Sequence, residues 1–230
     1  MNTTSPGVEV AVSNLLKAVD AWRIGHFLLT SGLHSDQYMQ CQKVLQYPQF
    51  GNFLADLIVA KLIEGGIKPD VVIGPALGAV HWEVFVAEAF ARKYADEKSA
   101  DYLLSLDSIE RFSKPDAVRS MVRAVFAERA AGSDDFSIRR GVEIGAGDKV
   151  VVVEDVTTTG GSARKVVELA RSLGAKPLAV AAIVDRSGGK ATFDVPFFSL
   201  LQLNLWTYEP DGCPLCKAGT QPEKPGSSKK

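Results

Sequence analysis

The sequence predicts an α/β fold with a central, mostly parallel sheet flanked by helices. Three observations carry that prediction. Val71-Val72-Ile73 is a short apolar run that stops at Gly74-Pro75 and gives way to helical periodicity over residues 80–94, the strand, glycine turn and helix unit of a parallel sheet. Four consecutive valines at 150–153 favour an extended backbone buried on both faces. A chain of 230 residues with 46% apolar content can bury a core of this kind, which excludes a disordered protein.

Taken in order, residues 8–24 carry Val8, Val12, Leu15, Leu16, Val19 and Trp22, a spacing that predicts an amphipathic helix. Phe27-Leu28-Leu29 reads as extended, Thr30-Ser31-Gly32 as a turn, and residues 38–44 as a second short extended piece. Pro48 opens a helix whose buried face is Phe50, Phe53, Leu54, Leu57, Ile58 and Leu62, closed by Gly65-Gly66. Residues 95–120 are rich in charge and poor in apolar anchors, and read as a solvated insertion in the sheet. A strand is expected over 122–127, with residues 136–142 returning as its hairpin partner. After the valine strand, helical spacing runs over 162–173 to Gly174, and residues 178–184 form another buried strand. The tail from 213 to 230 is rich in Pro, Gly, Ser and Lys and is expected to be flexible. No repeat or linker divides residues 1–230, which read as a single domain.

Charge and cysteine content narrow the function. The 26 basic and 27 acidic residues nearly balance, so a nucleic-acid-binding face has little support, while a small anion needs only a few local cations. Three cysteines suit a reducing interior rather than a disulfide scaffold. No apolar run approaches the roughly 18 residues of a membrane span, and residues 1–7 lack the pattern of a signal peptide. The expectation is a cytoplasmic chain without membrane or nucleic-acid partners.

The chemistry is concentrated in Val153-Glu154-Asp155-Val156-Thr157-Thr158-Thr159-Gly160-Gly161-Ser162. Two carboxylates stand at the carboxyl end of a buried strand, where an open α/β sheet receives its ligand, and burying two acids without purpose is costly. Threonines and glycines then lead into a helix, so hydroxyls and backbone N–H groups converge on an anion site that a Cβ would obstruct. Acceptors for a diol and donors for a phosphate, about a turn apart, match a ribose 5-phosphate. A Walker A loop would need a Lys before its Ser or Thr. A dinucleotide fingerprint would need glycines where Glu154-Asp155 stand.

This segment resembles the phosphoribosyl pyrophosphate motif of type I phosphoribosyltransferases. Its flanks resemble the orotate phosphoribosyltransferase family: Gly25-His26-Phe27-Leu28-Leu29-Thr30-Ser31-Gly32 with Ser35 and Tyr38, Val72-Ile73-Gly74-Pro75-Ala76, Phe126-Ala127-Glu128-Arg129, Arg139-Arg140-Gly141 and Asp185-Arg186. The resemblance covers residues 8–217, interrupted at 95–120, and implies a type I fold with a small hood (about 8–45 with the tail) and a mobile lid hairpin. It implies that Glu154 and Asp155 hold the ribose hydroxyls and that Thr157, Thr158, Thr159, Gly160 and Gly161 cradle the 5-phosphate. Thr158 and Arg186 would meet orotate, Ser31, Tyr38 and Met39 would form the hood over the base, and Gly74, Pro75 and Ala76 would meet pyrophosphate.

The implied catalytic set is Asp155 with the lid cations Arg129, Arg139 and Arg140. Mg²⁺ would ride on the substrate's pyrophosphate rather than on a metal site of the protein. The implied partners are phosphoribosyl pyrophosphate and orotate, within a homodimer whose lid serves the neighbouring subunit. Rival readings keep the sugar donor but change the base, or keep donor binding without turnover. The sequence departs from many family members in carrying no Lys or His in the lid, Thr30 for a base-side Lys, and Gly78 for a Lys near pyrophosphate.

Cys213-Pro214-Leu215-Cys216 stands apart from this motif. It reads as structural or incidental, as half of a zinc site completed from elsewhere, or as a redox pair; only Cys41, His26, His34 and His81 remain as further Cys or His ligands. His26 and His34 are expected near substrate, and His81, opening a helix, to be structural.

Overall fold

The computed structural model describes residues 5–29, 31–94, 121–130 and 132–225. The predicted insertion at 95–120, and Thr30, lie outside the described residues. The central sheet holds six strands: β3 (Val71–Pro75), β4 (Arg123–Arg129), β5 (Phe136–Ser137), β6 (Lys149–Thr157), β7 (Lys176–Asp185) and β8 (Phe197–Gln202), in the order β5-β4-β3-β6-β7-β8. All neighbours pair in parallel except β4 and β5. This is the fold class that the strand, turn and helix units predict.

The valine run explains how the sheet is filled on both sides. Val151 and Val153 face one core with Val72, Ala179, Ala181 and Ile183, while Val150 and Val152 face the other with Val71, Ile73 and Val180. Period-two alternation thus places an apolar side chain on each face at every step. On the first face lie α1 (Pro6–Ala18), α3 (Pro48–Glu64) and α4 (Val80–Tyr94), through Leu16, Leu54, Ile58, Trp82 and Phe90. The second is covered by α5 (Gly161–Ser172), through Ala163, Val166, Val167 and Ala170. Because the strands are parallel, the carboxyl ends of β3, β4, β6 and β7 share one edge, and that edge carries the site.

The hood is a three-stranded antiparallel sheet, β1 (Trp22–Leu28), β2 (His34–Met39) and β9 (Thr207–Tyr208). Two sequence expectations change here. The first helix ends at Ala18, because Asp20 turns to a φ of 55° and the Ala21 N–H bonds back to the Leu16 carbonyl; Trp22 then enters β1 and its indole donates to Gln37. The second extended piece, expected over 38–44, lies earlier, at His34–Met39, and Gln42–Leu45 form a short helix, α2. The predicted lid partner over 136–142 shortens to the two residues of β5.

The tail also differs from expectation. A 3₁₀ turn (Pro210–Gly212) and a short helix, α6 (Pro214–Lys217), hold a fully buried Cys213. Glu223 bridges back to β1: its N–H bonds to the His26 carbonyl (2.7 Å), its carbonyl accepts from Leu28 (2.8 Å), and its carboxylate takes both terminal nitrogens of Arg23. Composition alone suggests looseness, but backbone pairing to a hood strand anchors the segment as far as residue 223.

Candidate active site

The site is built from the carboxyl ends of four strands and the start of α5. Glu154 and Asp155 lie at the end of β6, both largely withdrawn from solvent. Burial, reinforced by the neighbouring Asp155 charge and opposed by Arg129, pushes the Glu154 carboxyl up to about 8. Burial also raises Asp155, against the opposing hydrogen bond from the Val156 N–H to its Oδ1 (2.8 Å). Two partly buried acids so placed are suited to hydroxyl donors or positive charge, since either offsets the penalty of an ionised group withdrawn from water. The Asp155 carbonyl also accepts from the buried Cys41 thiol at 3.8 Å, which ties the hood's exit to the acid pair.

The loop after the acids leads directly into α5. Thr157 is 2% exposed and its Oγ1 has no partner; Thr158 and Thr159 are exposed; Gly160 takes a φ of 79° and caps α5. A Cβ at Gly160 would stand 2.8 Å from the Phe193 ring, so both conformation and packing require glycine. No acidic residue occupies the first turn of α5, leaving its N–H groups and positive dipole end available to an anion. Arg164 braces the loop through the Thr159 and Thr192 carbonyls.

Arg186 follows β7 on the other side of the loop, with its N–H bonded to the Thr157 carbonyl (2.7 Å). Its guanidinium is mostly buried, Nε has no partner, and burial lowers its pKa while Cys41 and Tyr38 partly restore it. Tyr38, whose ring stacks on Phe27 at 5.6 Å, is therefore near Arg186, and Ser31 lies exposed in the turn between the hood strands. Met39 does not join them: successive strand residues face opposite ways, and Met39 is buried in the core cluster with Val12, Leu16 and Cys41.

Gly74, Pro75 and Ala76 end β3 directly beside the acids. A Cβ at Gly74 would stand 2.5 Å from the Ala79 Cβ and 3.0 Å from the Val153 carbonyl, and one at Gly78 would meet Asp155 Oδ1 at 3.1 Å. The departure at Gly78 thus leaves the Asp155 carboxylate uncrowded. Gln42 bonds the Gly78 carbonyl (2.6 Å) and His81 (3.1 Å), placing His81 in a supporting role.

The lid cations divide. Arg129, at the end of β4, lowers the Glu154 pKa and pairs with Asp134, whereas Arg140 pairs with Glu128 at 2.6 Å and Arg139 bonds Ser137. Among the described residues, no hydrogen bond or ion pair joins Arg139 or Arg140 to the acid pair. His26 and His34 are buried against the tail cysteines.

Sequence reasoning misses several supporting groups. Lys165 bonds the Asp134 carbonyl across from the lid. Asp185, already named with Arg186 from the sequence, holds the turn after β7 through the Ser187 and Gly189 N–H groups, a contact the sequence does not show. Glu83, 1% exposed in α4, accepts from the Gly74 N–H, and burial pushes its carboxyl up to about 9. A charged residue within an otherwise buried helical face is the available signal for Glu83.

Comparison with known proteins decides among families that share such an edge. A family model described as a phosphoribosyl transferase domain matches residues 42–216. The orotate phosphoribosyltransferase of Caldanaerobacter subterraneus is 41% identical over 218 residues, 95% of this chain and 97% of the relative; that of Caldicellulosiruptor saccharolyticus is 43% identical over 221 residues, 95% and 97%. The chain belongs to the orotate phosphoribosyltransferase family. The solved orotate phosphoribosyltransferase of Aeropyrum pernix aligns with a TM-score of 0.57 at 25% identity, covering 84% of this chain and 93% of that one. The adenine phosphoribosyltransferase of Saccharomyces cerevisiae shares the fold at a TM-score of 0.55 and 19% identity, covering 82% and 99%.

Proposed function

We propose that the chain transfers the phosphoribosyl group of phosphoribosyl pyrophosphate to orotate, releasing pyrophosphate and forming orotidine 5′-phosphate. The observation that carries the choice of base is Arg186, a largely buried guanidinium with an unpartnered Nε, near Tyr38 and Cys41. Such a group is poorly matched to a neutral purine and well matched to a planar base bearing a carboxylate. The relatives named for orotate point the same way.

Glu154 and Asp155 accept from the ribose 2′ and 3′ hydroxyls. Thr157, Thr158, Thr159, Gly160 and Gly161 enclose the 5-phosphate at the start of α5. With both ends of the sugar held, C1 is presented between the pyrophosphate loop at Gly74, Pro75 and Ala76 and the base held by Arg186, Ser31 and Tyr38. The C1–oxygen bond to pyrophosphate breaks as the bond from the base nitrogen to C1 forms, and the intervening sugar carries positive charge. Asp155 and Glu154 lie where that charge develops, and Arg129, with Arg139 and Arg140 on a closed lid, opposes the negative charge of the departing group. The paired buried carboxylates fit a cation-bearing substrate, and Mg²⁺ carried by pyrophosphate supplies charge neutralisation of the leaving group when bound. A homodimer in which the lid reaches the adjacent site, in a cytoplasmic setting suited to three free cysteines, completes the reading.

The test combines purified chain, Mg²⁺, the sugar diphosphate and a panel of orotate, uracil, adenine and hypoxanthine. Depletion of orotate alone is expected, and Arg186→Ala should raise the orotate KM by about 30-fold or more, the equivalent of about 2 kcal/mol for a lost charged contact. Turnover with another base only, or donor binding without any turnover, overturns the proposal.

A further inference from the structure

We propose that His26, His34, Cys213 and Cys216 form a tetrahedral zinc site that fastens the tail to the hood. The four side chains offer one ligand atom each, all within 4.8 Å of one another. Cys213 Sγ lies 3.5 Å and Cys216 Sγ 3.7 Å from His26 Nε2; Cys216 Sγ lies 3.3 Å from His34 Nδ1; the two imidazole nitrogens are 3.0 Å apart. Bonds of about 2.3 Å to sulfur and about 2.0 Å to nitrogen set tetrahedral ligand atoms about 3.3–3.8 Å apart. The cluster is thus already close to the required size. Two thiolates with two imidazoles in that arrangement select zinc over oxygen-seeking Mg²⁺ or Ca²⁺.

Hydrogen bonding alone does not account for the cluster. The Thr220 hydroxyl donates its proton to the Leu215 carbonyl (2.8 Å), so at 2.9 Å from His26 Nδ1 it accepts, and the proton of His26 sits on Nδ1. Nε2 then presents a lone pair to the centre of the cluster. If His34 Nδ1 carries a proton it takes that lone pair at 3.0 Å and leaves both thiols without an imidazole acceptor; if it is bare, Cys213 and Cys216 can bond one ring each, but the two nitrogens then face lone pair to lone pair at 3.0 Å. A cation at the centre uses all four donors, and the Thr220 contact is the outer-shell bond that orients a ligating imidazole.

Local structure explains how residues so far apart meet. The β1–β2 register slips between Ile24 and Phe27, where three residue steps on β1 oppose two on β2 between Gln37 and Ser35; the extra residue re-aims His26. His34 opens β2 opposite Leu28, next to the turn that carries Ser31. Cys213 precedes α6 and Cys216 lies within it, so one helical turn presents both sulfurs. The cysteines are free thiols, and Cys213 and both histidines are buried. The site lies in the hood and stabilises the platform for the base, independently of which base is transferred.

Full-length chain prepared without a polyhistidine tag or chelator is expected to contain about one zinc per chain by mass spectrometry of the metal. Exchange with Co²⁺ should give a thiolate charge-transfer band and the intense d–d bands of a tetrahedral site. Cys213→Ser with Cys216→Ser should lose the metal and lower Tm by about 5 °C or more, whereas Cys41→Ser should keep the metal. Should the double variant fail to fold, the wild-type zinc content and Co²⁺ spectrum decide alone. Less than about a fifth of an equivalent after incubation with excess Zn²⁺ and desalting, a Co²⁺ spectrum without charge transfer, or a Cys213–Cys216 disulfide in freshly prepared chain overturns the assignment.

Discussion

Glu83 is the residue whose setting departs most from its chemistry. It lies beneath the Gly74 turn, and a Cβ on that glycine would come within 3.2 Å of its unpartnered Oε2. With its carboxyl at about 9 in the fold against 4.5 in the ordinary state, the native chain holds one more proton than the unfolded chain between those values. The associated stability is complete below pH 4.5 and is lost as pH rises toward 9. Glu83→Gln removes the titration while preserving shape and the acceptor for the Gly74 N–H. Between pH 6 and 9 the wild-type Tm should fall by roughly 8–16 °C more than that of the variant, corresponding to about 4 kcal/mol. Glu154, raised to about 8, acts with the same sign in both proteins and cancels from the difference. Parallel melting curves across the range would show that Glu83 does not carry this proton.

At the scale of elements, the strand-to-helix connection of β6 and α5 is the working part. Its conformation depends on Gly160, where a methyl group meets both an unfavourable φ of 79° and the Phe193 ring. Gly160→Ala should cost about 1–3 kcal/mol and raise the KM for the sugar diphosphate about tenfold, measured by thermal melting and donor titration. Unchanged donor affinity would separate the phosphate cradle from this loop. The elements around it are legible in the sequence to different degrees. The valine strand, the helix at 80–94 and the acid–threonine–glycine connection are readable because local pattern and tertiary role coincide there. β8 does not stand out, since its apolar residues over 197–201 carry no period that distinguishes strand from helix. Met39 reads as part of the hood over the base only through the family resemblance, and the strand's alternation sends it into the core. Arg164 and Lys165, one turn into α5, read simply as a solvated helical face until the loops they brace are in place.

For the whole molecule, the parallel sheet and the hood have different sources of strength. The sheet buries apolar side chains on both faces, whereas the hood is a small antiparallel sheet completed by the last described segment. A chain ending after Tyr208 should keep the core sheet but lose protection of β1 and β2, with hydrogen exchange there at least about tenfold faster than in the full chain and little change in β6. Equal protection in both sheets would show that the tail adds nothing to the hood. The His and Cys positions expose the limit of reading one sequence: a Cys-x-x-Cys pair is visible, but the histidines that approach it come from strands more than 180 residues away.

The Arg23–Glu223 pairing joins positions 200 residues apart. During synthesis, the strand that begins the hood must therefore wait, unsatisfied along one edge, until residue 223 has left the ribosome. The sheet can be assembled before the hood is closed. A chain ending before residue 223 would then keep the core sheet while its hood strand lacks the backbone partner that closes it.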